Sequence, residues 1–507
     1  MQSARHKNSE GHWARGRPRS ANGSTAFLPI RLVLAVLLAG FMLASPQGNT
    51  PAHAAKQRTV LSELSRLRDA GAITPAAYRD HRATYLDAKR LLGKLSGARR
   101  IGMRAPLVHL ERIAKDGSLT SGRVPALMLT VQRNRAAWCC EPLPRNGQRR
   151  TFGASQLVWQ HYLGQGWQIQ WLATFGKANA LWSFKKKDDE LRALLDEAIA
   201  LAAPRAGGIA WEYLFAFGGG SPPWASGMAQ ATGIQALSRA AIRLKEPAYF
   251  EAARSALGIF KTRPPSGVRV DVAPGRSHYL LYSYARGQRV LNGFNQAVNG
   301  LHDFATLAND DEGRELYARG VKQLAAELPR YDTGGWSRYQ VGGRASDVGY
   351  HKLARDFLRG LCERTRADRA KAGAAQAGGA TPGALPEEPE RERAPIVGVD
   401  PEPFCAFATR LTEDLSRAPR LEVVTTWTRA GKRGAVRVRV DKPATVTVTV
   451  SRDGKTVGAR TASVQPGSPV FVYSAKTKAG RYRVTVRATD ILGLRGATSA
   501  VLTVARP

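Results

Sequence analysis

Short loops between predicted amphipathic helices carry tyrosines beside side chains that could tune their acidity. Tyr339 directly follows Arg338, and Tyr350 directly precedes His351. A phenol can donate a proton, and it can accept one when a nearby cation stabilises the phenolate. Loops that join the helices of an all-helical scaffold are where such a protein lines a polar cleft. The pattern therefore predicts a polar cleft lined by phenols that could take part in acid–base chemistry.

Repeated pairs of helices are predicted on either side of these loops. Helical periodicity runs through 226–244 and 247–260, and again through 294–308 and 311–328. Short acidic or proline-containing turns join the members of each pair. This repetition predicts an α/α toroid of antiparallel helical pairs. Between the pairs, residues 268–284 alternate in character and predict a small hairpin or lid at the toroid mouth.

The flanking regions differ from the toroid in composition. Residues 56–138 predict scaffold helices, with Thr74 as an N-cap and Pro75 as the first helical residue. Residues 370–393 are rich in Ala, Gly, Pro and Glu, and they hold too little apolar bulk to fold. They predict a disordered linker.

The last ninety residues or so have the period of β-strands. Six stretches alternate apolar and polar residues, and Asp453-Gly454 between two of them is a strong hairpin signal. This predicts an immunoglobulin-like or fibronectin-III-like β-sandwich that acts as a binding module or a spacer. The chain is thus predicted to be multidomain and mainly α with an all-β C-terminal module, divided as follows: 1–54 signal peptide or membrane anchor, 55–150 N-terminal helical region, 151–365 toroid, 366–398 disordered linker, 399–417 tethered helical segment, 418–507 β-sandwich module.

The N-terminus has the layout of a secretory signal. Basic residues precede an apolar run at 32–44, and Ala52-His53-Ala54 resembles a cleavage site. An uncleaved anchor is the alternative, and in that case this segment would be the protein's contact with a membrane. Both interpretations predict that the protein is secreted or otherwise extracytoplasmic.

The charge balance favours an acidic partner. The formal net charge is +36, and removal of residues 1–54 leaves +31. Such a field concentrates polyanions near the surface. Nucleic acid is a competing polyanion, but no zinc-finger spacing, RNP-like block or clear helix-turn-helix signal is present, so a nucleic-acid partner is not predicted. Arg-rich composition is also common in GC-rich genomes. The sequence gives no prediction of oligomeric state.

The four cysteines predict one disulfide in an exported chain. Cys362 ends a helical stretch and Cys405 lies beyond the linker, so a bridge between them would fasten the later segment to the helical domain. Cys139 and Cys140 are adjacent, and vicinal bridges are rare. We expect these two to be buried thiols, and we expect no metal site.

Four blocks of sequence resemble one known family. They are Arg289-Val-Leu-Asn-Gly-Phe294, the stretch from Leu328 to Tyr339, Asp347-Val-Gly-Tyr350-His351, and the stretch from Pro222 to Gln230. They resemble the C-terminal domain of D-glucuronyl C5-epimerases, which invert C5 of glucuronate units inside a polysaccharide. The resemblance covers roughly residues 162–362 and implies a reaction on an anionic polysaccharide without a metal or nicotinamide cofactor.

The resemblance also implies roles for particular residues. The family's proton-transferring tyrosines match Tyr350 and Tyr339, and a third family tyrosine matches Tyr282. The acid that precedes this third tyrosine in the family is Leu281 here. Glu212 is therefore a candidate substitute carboxylate, and the alternative is that the tyrosines act without one.

Further residues are candidates for holding the substrate. Arg338 or Arg344 is expected to bind the uronate carboxylate. Trp224 could stack on sugar rings, although a tryptophan beside proline is often a core residue. Asn292 and Gln230 either line the cleft or fix helix ends. His351 either contacts substrate or pairs with Asp347.

Other reactions remain open. A polysaccharide lyase would abstract the same C5 proton and then expel the 4-linked sugar. A non-catalytic glycan-binding protein of the cell envelope is the reading that Leu281 favours. Glycoside hydrolysis ranks lower, because it needs two carboxylates across a cleft and these loops offer tyrosines. The sequence does not identify the polymer.

Overall fold

The computed structural model describes residues 58–184, 186–377, 396, 398–431 and 433–506. The predicted signal segment 1–54 and most of the predicted linker lie outside the described residues. Helices dominate as far as residue 413, and strands dominate from residue 421. None of the helices in the described part of the chain combines the length and apolar character that a bilayer-spanning segment needs.

The helices and the strands are each numbered in chain order. The helices are α1 (Val60–Asp69), α2 (Pro75–Lys94), α3 (Gly97–Lys115), α4 (Val124–Cys140), α5 (Trp171–Ser183), α6 (Asp188–Ala200), α7 (Gly227–Arg243), α8 (Ala248–Ser255), α9 (Gly258–Lys261), α10 (Leu291–Leu307), α11 (Asp311–Glu327), α12 (Val348–Ala377) and α13 (Glu402–Glu413). The strands are β1 (Arg149–Arg150), β2 (Trp159–Tyr162), β3 (Gly166–Ile169), β4 (Ala203–Arg205), β5 (Gly208–Ala210), β6 (Arg269–Ala273), β7 (Arg276–Tyr279), β8 (Leu421–Val423), β9 (Trp427–Arg429), β10 (Arg433–Val440), β11 (Ala444–Arg452), β12 (Lys455–Val464), β13 (Val470–Lys476), β14 (Gly480–Asp490) and β15 (Arg495–Ala505).

Local signals set several of these boundaries. The Thr74 side chain accepts a hydrogen bond from the Ala77 amide at 3.1 Å, and Pro75 is the first residue of α2. This confirms the predicted N-cap, which satisfies an amide that has no partner inside the helix.

The long helices α10 and α12 run in the same direction. Asn292, near the start of α10, donates to the carbonyl of Tyr350, and Asn299 donates to the carbonyl of Phe357, so the same offset is kept over two turns. Helix α11 returns antiparallel to α10. Because α10 and α12 are parallel, the loops that precede them meet at one end of the bundle.

Helix α7 packs closely against α10. At Gly300 in α10, a Cβ atom would lie 2.3 Å from the Ala231 carbonyl oxygen, so glycine permits this backbone approach. Farther along, the Asp303 carboxylate binds Arg239 of α7 and Arg364 of α12, each at 2.7 Å. Burial alone would raise the pKa of Asp303, but His302 and these two arginines hold it well below its usual range. These ion pairs link α7, α10 and α12.

The strands after residue 421 form two sheets with a common core. Their strand orders are β12-β11-β14-β15-β9 and β13-β10-β8. Asp453 and Gly454 have φ of 50° and 77° and join β11 to β12, which confirms the predicted hairpin. The immunoglobulin-like topology and the closed toroid stay predictions. The two sheets are packed through alternate residues that include Val436, Val438, Val446, Val448, Val484, Val486 and Leu502.

The predicted start of the linker at residue 366 is wrong. Helix α12 continues to Ala377, so residues 366–377 are helical. Asp368 is buried and lies 2.8 Å from His302 of α10, which gives this part of the helix a tertiary contact that composition did not reveal.

Both pairs of cysteines are bonded in the structure. Cys362 of α12 and Cys405 of α13 form a disulfide, with Cα atoms 5.0 Å apart. Cys139 and Cys140 also form a disulfide, and both are exposed at the end of α4. The prediction of buried thiols at this pair is therefore wrong. Ala137 and Trp138 of the same turn are buried, so the core side of this helix end is occupied and the two cysteines lie on its solvent side.

Candidate functional site

Tyr282, Tyr284, Tyr339 and Tyr350 form one cluster at the end of the bundle, which we name the tyrosine cluster. The rings of Tyr339 and Tyr350 meet edge to face, with centroids 4.9 Å apart. The Tyr282 ring stacks on Tyr284 at 5.4 Å, and its phenol is hydrogen-bonded with Tyr339. All four side chains are partly exposed. The three tyrosines predicted from sequence are thus brought together.

Main-chain contacts with the parallel helices place the two central phenols. The carbonyl of Tyr339 accepts from the Leu291 amide at 3.1 Å, which ties its loop to the start of α10. Tyr350 lies in the first turn of α12, where the Asp347 carboxylate accepts from its amide at 2.8 Å. Asn292 donates to the Tyr350 carbonyl at 3.1 Å. Asn292 therefore positions Tyr350, which is the helix-end role foreseen as the alternative to lining a cleft.

The position where the resemblance expects an acid is apolar. Leu281 is 8% exposed and packs with Met228 and Val290, and Tyr282 and Tyr339 lie against this group. The tyrosine cluster is thus bordered by hydrocarbon where a carboxylate would have accepted a proton.

The surroundings of Tyr282 favour its neutral form. Burial raises the pKa of the Tyr282 phenol, and the neighbouring phenols Tyr339, Tyr284 and Tyr350 raise it further. The charged form would lie in a poorly solvated site. Tyr282 is therefore protonated at neutral pH, and it can serve as a hydrogen-bond donor.

Trp224 belongs to the aromatic packing behind the cluster. It is 4% exposed, and its ring stacks on Tyr213 with centroids 4.3 Å apart. Its indole N–H donates to the Phe215 carbonyl at 2.8 Å. The prediction that Trp224 stacks on sugar is wrong, because both ring faces are covered. The ring of Phe217, 38% exposed and 6.0 Å from that of Tyr282, is the accessible aromatic that the sequence analysis missed.

Glu212 is not available as a substitute base. Its carboxylate is 2% exposed and binds Arg123 at 2.6 and 2.9 Å and Arg205 at 2.6 Å. Both oxygens are thus engaged by guanidinium groups, so the proposed rescue by Glu212 is wrong. Arg123 and Arg205 lie outside the four blocks that resemble the family, so the sequence around Glu212 does not predict these ion pairs.

Gln230 also has a structural role. Its side-chain amide donates to the carbonyls of Ile209 and Ala256 at 2.8 and 3.0 Å, and its oxygen accepts from the Trp211 amide at 3.3 Å. The residue is 1% exposed. Substrate binding by Gln230 is therefore excluded by this arrangement.

His351 is fully buried and faces away from the tyrosine cluster. Its ring stacks on Trp336 with centroids 3.7 Å apart. Nδ1 accepts from the Ser337 amide at 3.2 Å, and Nε2 donates to the Leu411 carbonyl at 3.0 Å. Burial lowers the pKa of His351 to about 4. The predictions of substrate contact and of pairing with Asp347 are both wrong.

Of the two predicted carboxylate-binding arginines, Arg338 lies on the far side of the Tyr339 loop. Arg338 donates to the Gly343 carbonyl at 3.0 Å and lines a groove of about 400 Å³ that also contains Arg420 and Arg439 of the C-terminal region. Arg344 is exposed, and its carbonyl accepts from the Tyr339 amide. Adjacent residues of an extended segment point to opposite faces, so Arg338 does not face the substrate position that its neighbour Tyr339 suggests.

A second polar group, which we name the Glu327 cluster, was missed by the sequence analysis. The Glu327 carboxylate contacts His278 and Arg289 at 2.9 Å, Gln323 at 2.7 Å and the Tyr331 hydroxyl at 3.1 Å. Burial would raise the pKa of Glu327, but His278, Gln323 and Arg289 lower it to about 2. No local motif marks this group, because its members are dispersed along the chain.

Within the described residues, no set of three or more His, Cys, Asp or Glu side chains is placed to hold a metal ion.

Comparisons with known proteins bear on the same region. Residues 207–375 match the family described as D-glucuronyl C5-epimerase C-terminus. A D-glucuronyl C5-epimerase of Caenorhabditis elegans is 36% identical over 132 residues, which are 24% of this chain and 21% of that protein. An uncharacterized protein of Methanocaldococcus jannaschii is 29% identical over 29% of this chain and 50% of its own length.

The chain therefore spans only a fifth to a half of these relatives. Among solved structures, a sugar epimerase from a ruminal bacterium matches with a TM-score of 0.29 and 10% identity, over 59% of this chain and 64% of that one. A D-mannose isomerase matches with a TM-score of 0.28 and 12% identity, over 53% and 61%.

Proposed function

Because residues 207–375 belong to the family of D-glucuronyl C5-epimerase C-terminal domains, we propose that this protein inverts C5 of uronate units in an anionic polysaccharide. The observation that carries the proposal is the contact between Tyr339 and Tyr350 at 4.9 Å, in a partly exposed cluster where parallel helices begin. Two phenols this close together can both reach one bound sugar ring.

The proposed reaction balances without another reactant. One phenolate of the Tyr339 and Tyr350 pair takes the proton from C5, and the electron pair is delocalised onto the uronate carboxylate. The other phenol then gives its proton to the opposite face of C5. Tyr282, held neutral by burial, donates a hydrogen bond to the charge that develops.

Charge and disulfides support the setting of this reaction. The net charge of +36 favours encounter with a polyanion. The two disulfides, Cys139–Cys140 and Cys362–Cys405, support an extracytoplasmic location, because such bonds persist in oxidising compartments. We further propose that the antiparallel helical pairs form a closed α/α toroid and that the two C-terminal sheets form an immunoglobulin-like module.

A second candidate is a non-catalytic glycan-binding protein. Leu281 favours it, because the family's acid is replaced by a side chain that packs against the phenols. The absence of a base at this one position would allow the tyrosine cluster to bind uronate while turnover is lost.

The test is incubation of the mature protein with candidate uronans in deuterated water. The epimerase proposal predicts deuterium at C5 and a changed ratio of the two C5 epimers. A lyase would instead be identified by an unsaturated product that absorbs ultraviolet light and forms in deuterated and ordinary water alike. Binding of uronan without label or cleavage would identify the glycan-binding protein and reject the proposed reaction.

A further inference from the structure

The turn between β10 and β11 docks on the loop that carries Tyr339. The carbonyl of Asp441 accepts from the Thr333 hydroxyl at 2.8 Å, and its carboxylate pairs with Arg417 at 2.9 Å. A Cβ atom at Gly335 would lie 2.3 Å from this carboxylate, so the loop backbone lies directly against it. The C-terminal region therefore contacts the loop itself.

Lys442, the next residue in this turn, is fully buried. Its ammonium group donates to the carbonyls of Asp414 and Arg417 and lies 3.5 Å from the Asp490 carboxylate. A buried charge needs such partners to offset its lost hydration. Burial lowers the pKa of Lys442. These bonds to the Lys442 ammonium group hold the turn between β10 and β11 against residues 414–417, which follow α13.

The same ammonium group reaches the tyrosine loop through an aromatic ring. It lies 5.7 Å from the ring centroid of Trp336, within the range of cation–π attraction. Trp336 donates to the Ser346 carbonyl at 2.8 Å and stacks on His351. His351 is adjacent to Tyr350, and Trp336 is three residues before Tyr339. One buried cation is therefore close to the supports of both phenols.

Further contacts join the two regions at both ends of the loop. Asp332 pairs with Arg410 of α13, and the Ala345 amide donates to the Gln465 side chain at 3.2 Å. His351 donates to the Leu411 carbonyl of α13 at 3.0 Å. The two-sheet domain thus contacts the loop at Thr333, Trp336 and Ala345. Helix α13 adds contacts at Asp332 and His351.

We infer that the C-terminal two-sheet domain positions the tyrosine cluster, with Lys442 as a positioning residue for Tyr339 and Tyr350. This goes beyond a spacer or glycan-binding module, and only its activity measurement rests on the proposed function. A domain that merely tethered the protein would have no need to bury a lysine against the tyrosine loop.

The experiment compares Lys442→Met with Lys455→Met in the full chain. Both variants exchange a lysine for an apolar chain of similar length in the same domain, but Lys455 is exposed at the distal hairpin. We measure amide hydrogen exchange of 333–346 by mass spectrometry, and kcat and KM for C5 exchange. Gln465→Leu is a milder second variant, which removes the side-chain oxygen that accepts from the Ala345 amide and serves if Lys442→Met does not fold.

The inference predicts faster amide exchange of 333–346 in Lys442→Met and Gln465→Leu, with the α10–α11 peptides unchanged. It predicts a kcat lower by about ten- to a hundred-fold in Lys442→Met and nearly constant KM, because displacement of a reacting group by ~1 Å can cost that much. Lys455→Met should match the wild type in every measurement.

Unchanged amide exchange of the loop in both variants would overturn the inference, and so would a loosened loop with unchanged kcat. If the wild type shows no C5 exchange, the proposed function fails, and the amide exchange of 333–346 alone then decides whether the C-terminal domain positions the loop.

Discussion

The tyrosine cluster and the Glu327 cluster use the same phenol group in opposite ways. Tyr331 is fully buried, and its hydroxyl donates to a carboxylate that three other side chains also contact. Burial, reinforced by Glu327, raises the pKa of Tyr331 well above its ordinary value. Tyr339 and Tyr350 are instead partly exposed and contact each other. Access to solvent, more than the presence of a carboxylate, distinguishes the candidate site from a structural network.

The same contrast separates two adjacent residues. Tyr350 faces the tyrosine cluster, whereas His351 is buried with both ring nitrogens occupied. A Tyr-His pair in sequence therefore provides one group for the site and one for its support.

The largest change in stability is expected from Glu327→Gln. It leaves His278 and Arg289 without their anionic partner, so the free energy of unfolding should fall by about 3 kcal/mol. Urea unfolding checks the stability, and C5 exchange of the folded variant should persist. Abolished exchange with unchanged stability would show instead that Glu327 is the acid missing from the tyrosine cluster.

A smaller loss of folding stability is expected as the pH falls, and it comes from His351. Its folded pKa of about 4 lies below the ordinary value of 6.5, so between these values the unfolded chain binds the extra proton and stability is lost on acidification. From about pH 7.5 to about pH 5 this contribution is ~2 kcal/mol.

Urea unfolding of the wild type and His351→Gln at both pH values isolates the contribution of His351. The other histidines are present in both proteins and cancel in the difference. Equal pH dependence in the two proteins would contradict the buried, neutral ring.

The smallest effect is expected from Leu281→Glu, which sharpens the comparison by adding a carboxylate to the tyrosine cluster. If the cluster lacks only a base, C5 exchange should become about ten-fold faster, within the range that general bases contribute. Leu281→Gln is the matched control, since it adds polarity without a base. Equal rates in the two variants would show that the phenols suffice or that the introduced group points elsewhere.

Local features of the fold were predictable because they depend on neighbours in sequence. Helices α10 (Leu291–Leu307) and α11 (Asp311–Glu327) lie within a few residues of the periodic stretches 294–308 and 311–328. The Asp453-Gly454 turn is likewise set by its own residues.

The failures concern contacts between distant parts of the chain. Glu212 meets Arg123, which is 89 residues away, and α12 extends past residue 366 because Asp368 meets His302. The sequence predicts that Arg338 tunes the acidity of the adjacent Tyr339 phenol. The two side chains lie on opposite faces of their loop. Sequence adjacency specifies neither the partner nor the direction of a side chain.

The most direct test compares three identical substitutions, Tyr339→Phe, Tyr350→Phe and Tyr331→Phe, by deuterium incorporation at C5. The account predicts that the first two lose exchange by about 10²–10⁴-fold while remaining folded. It predicts that Tyr331→Phe keeps exchange and loses about 1 kcal/mol of stability, the usual contribution of one hydrogen bond. Unchanged exchange in both Tyr339→Phe and Tyr350→Phe would contradict the account.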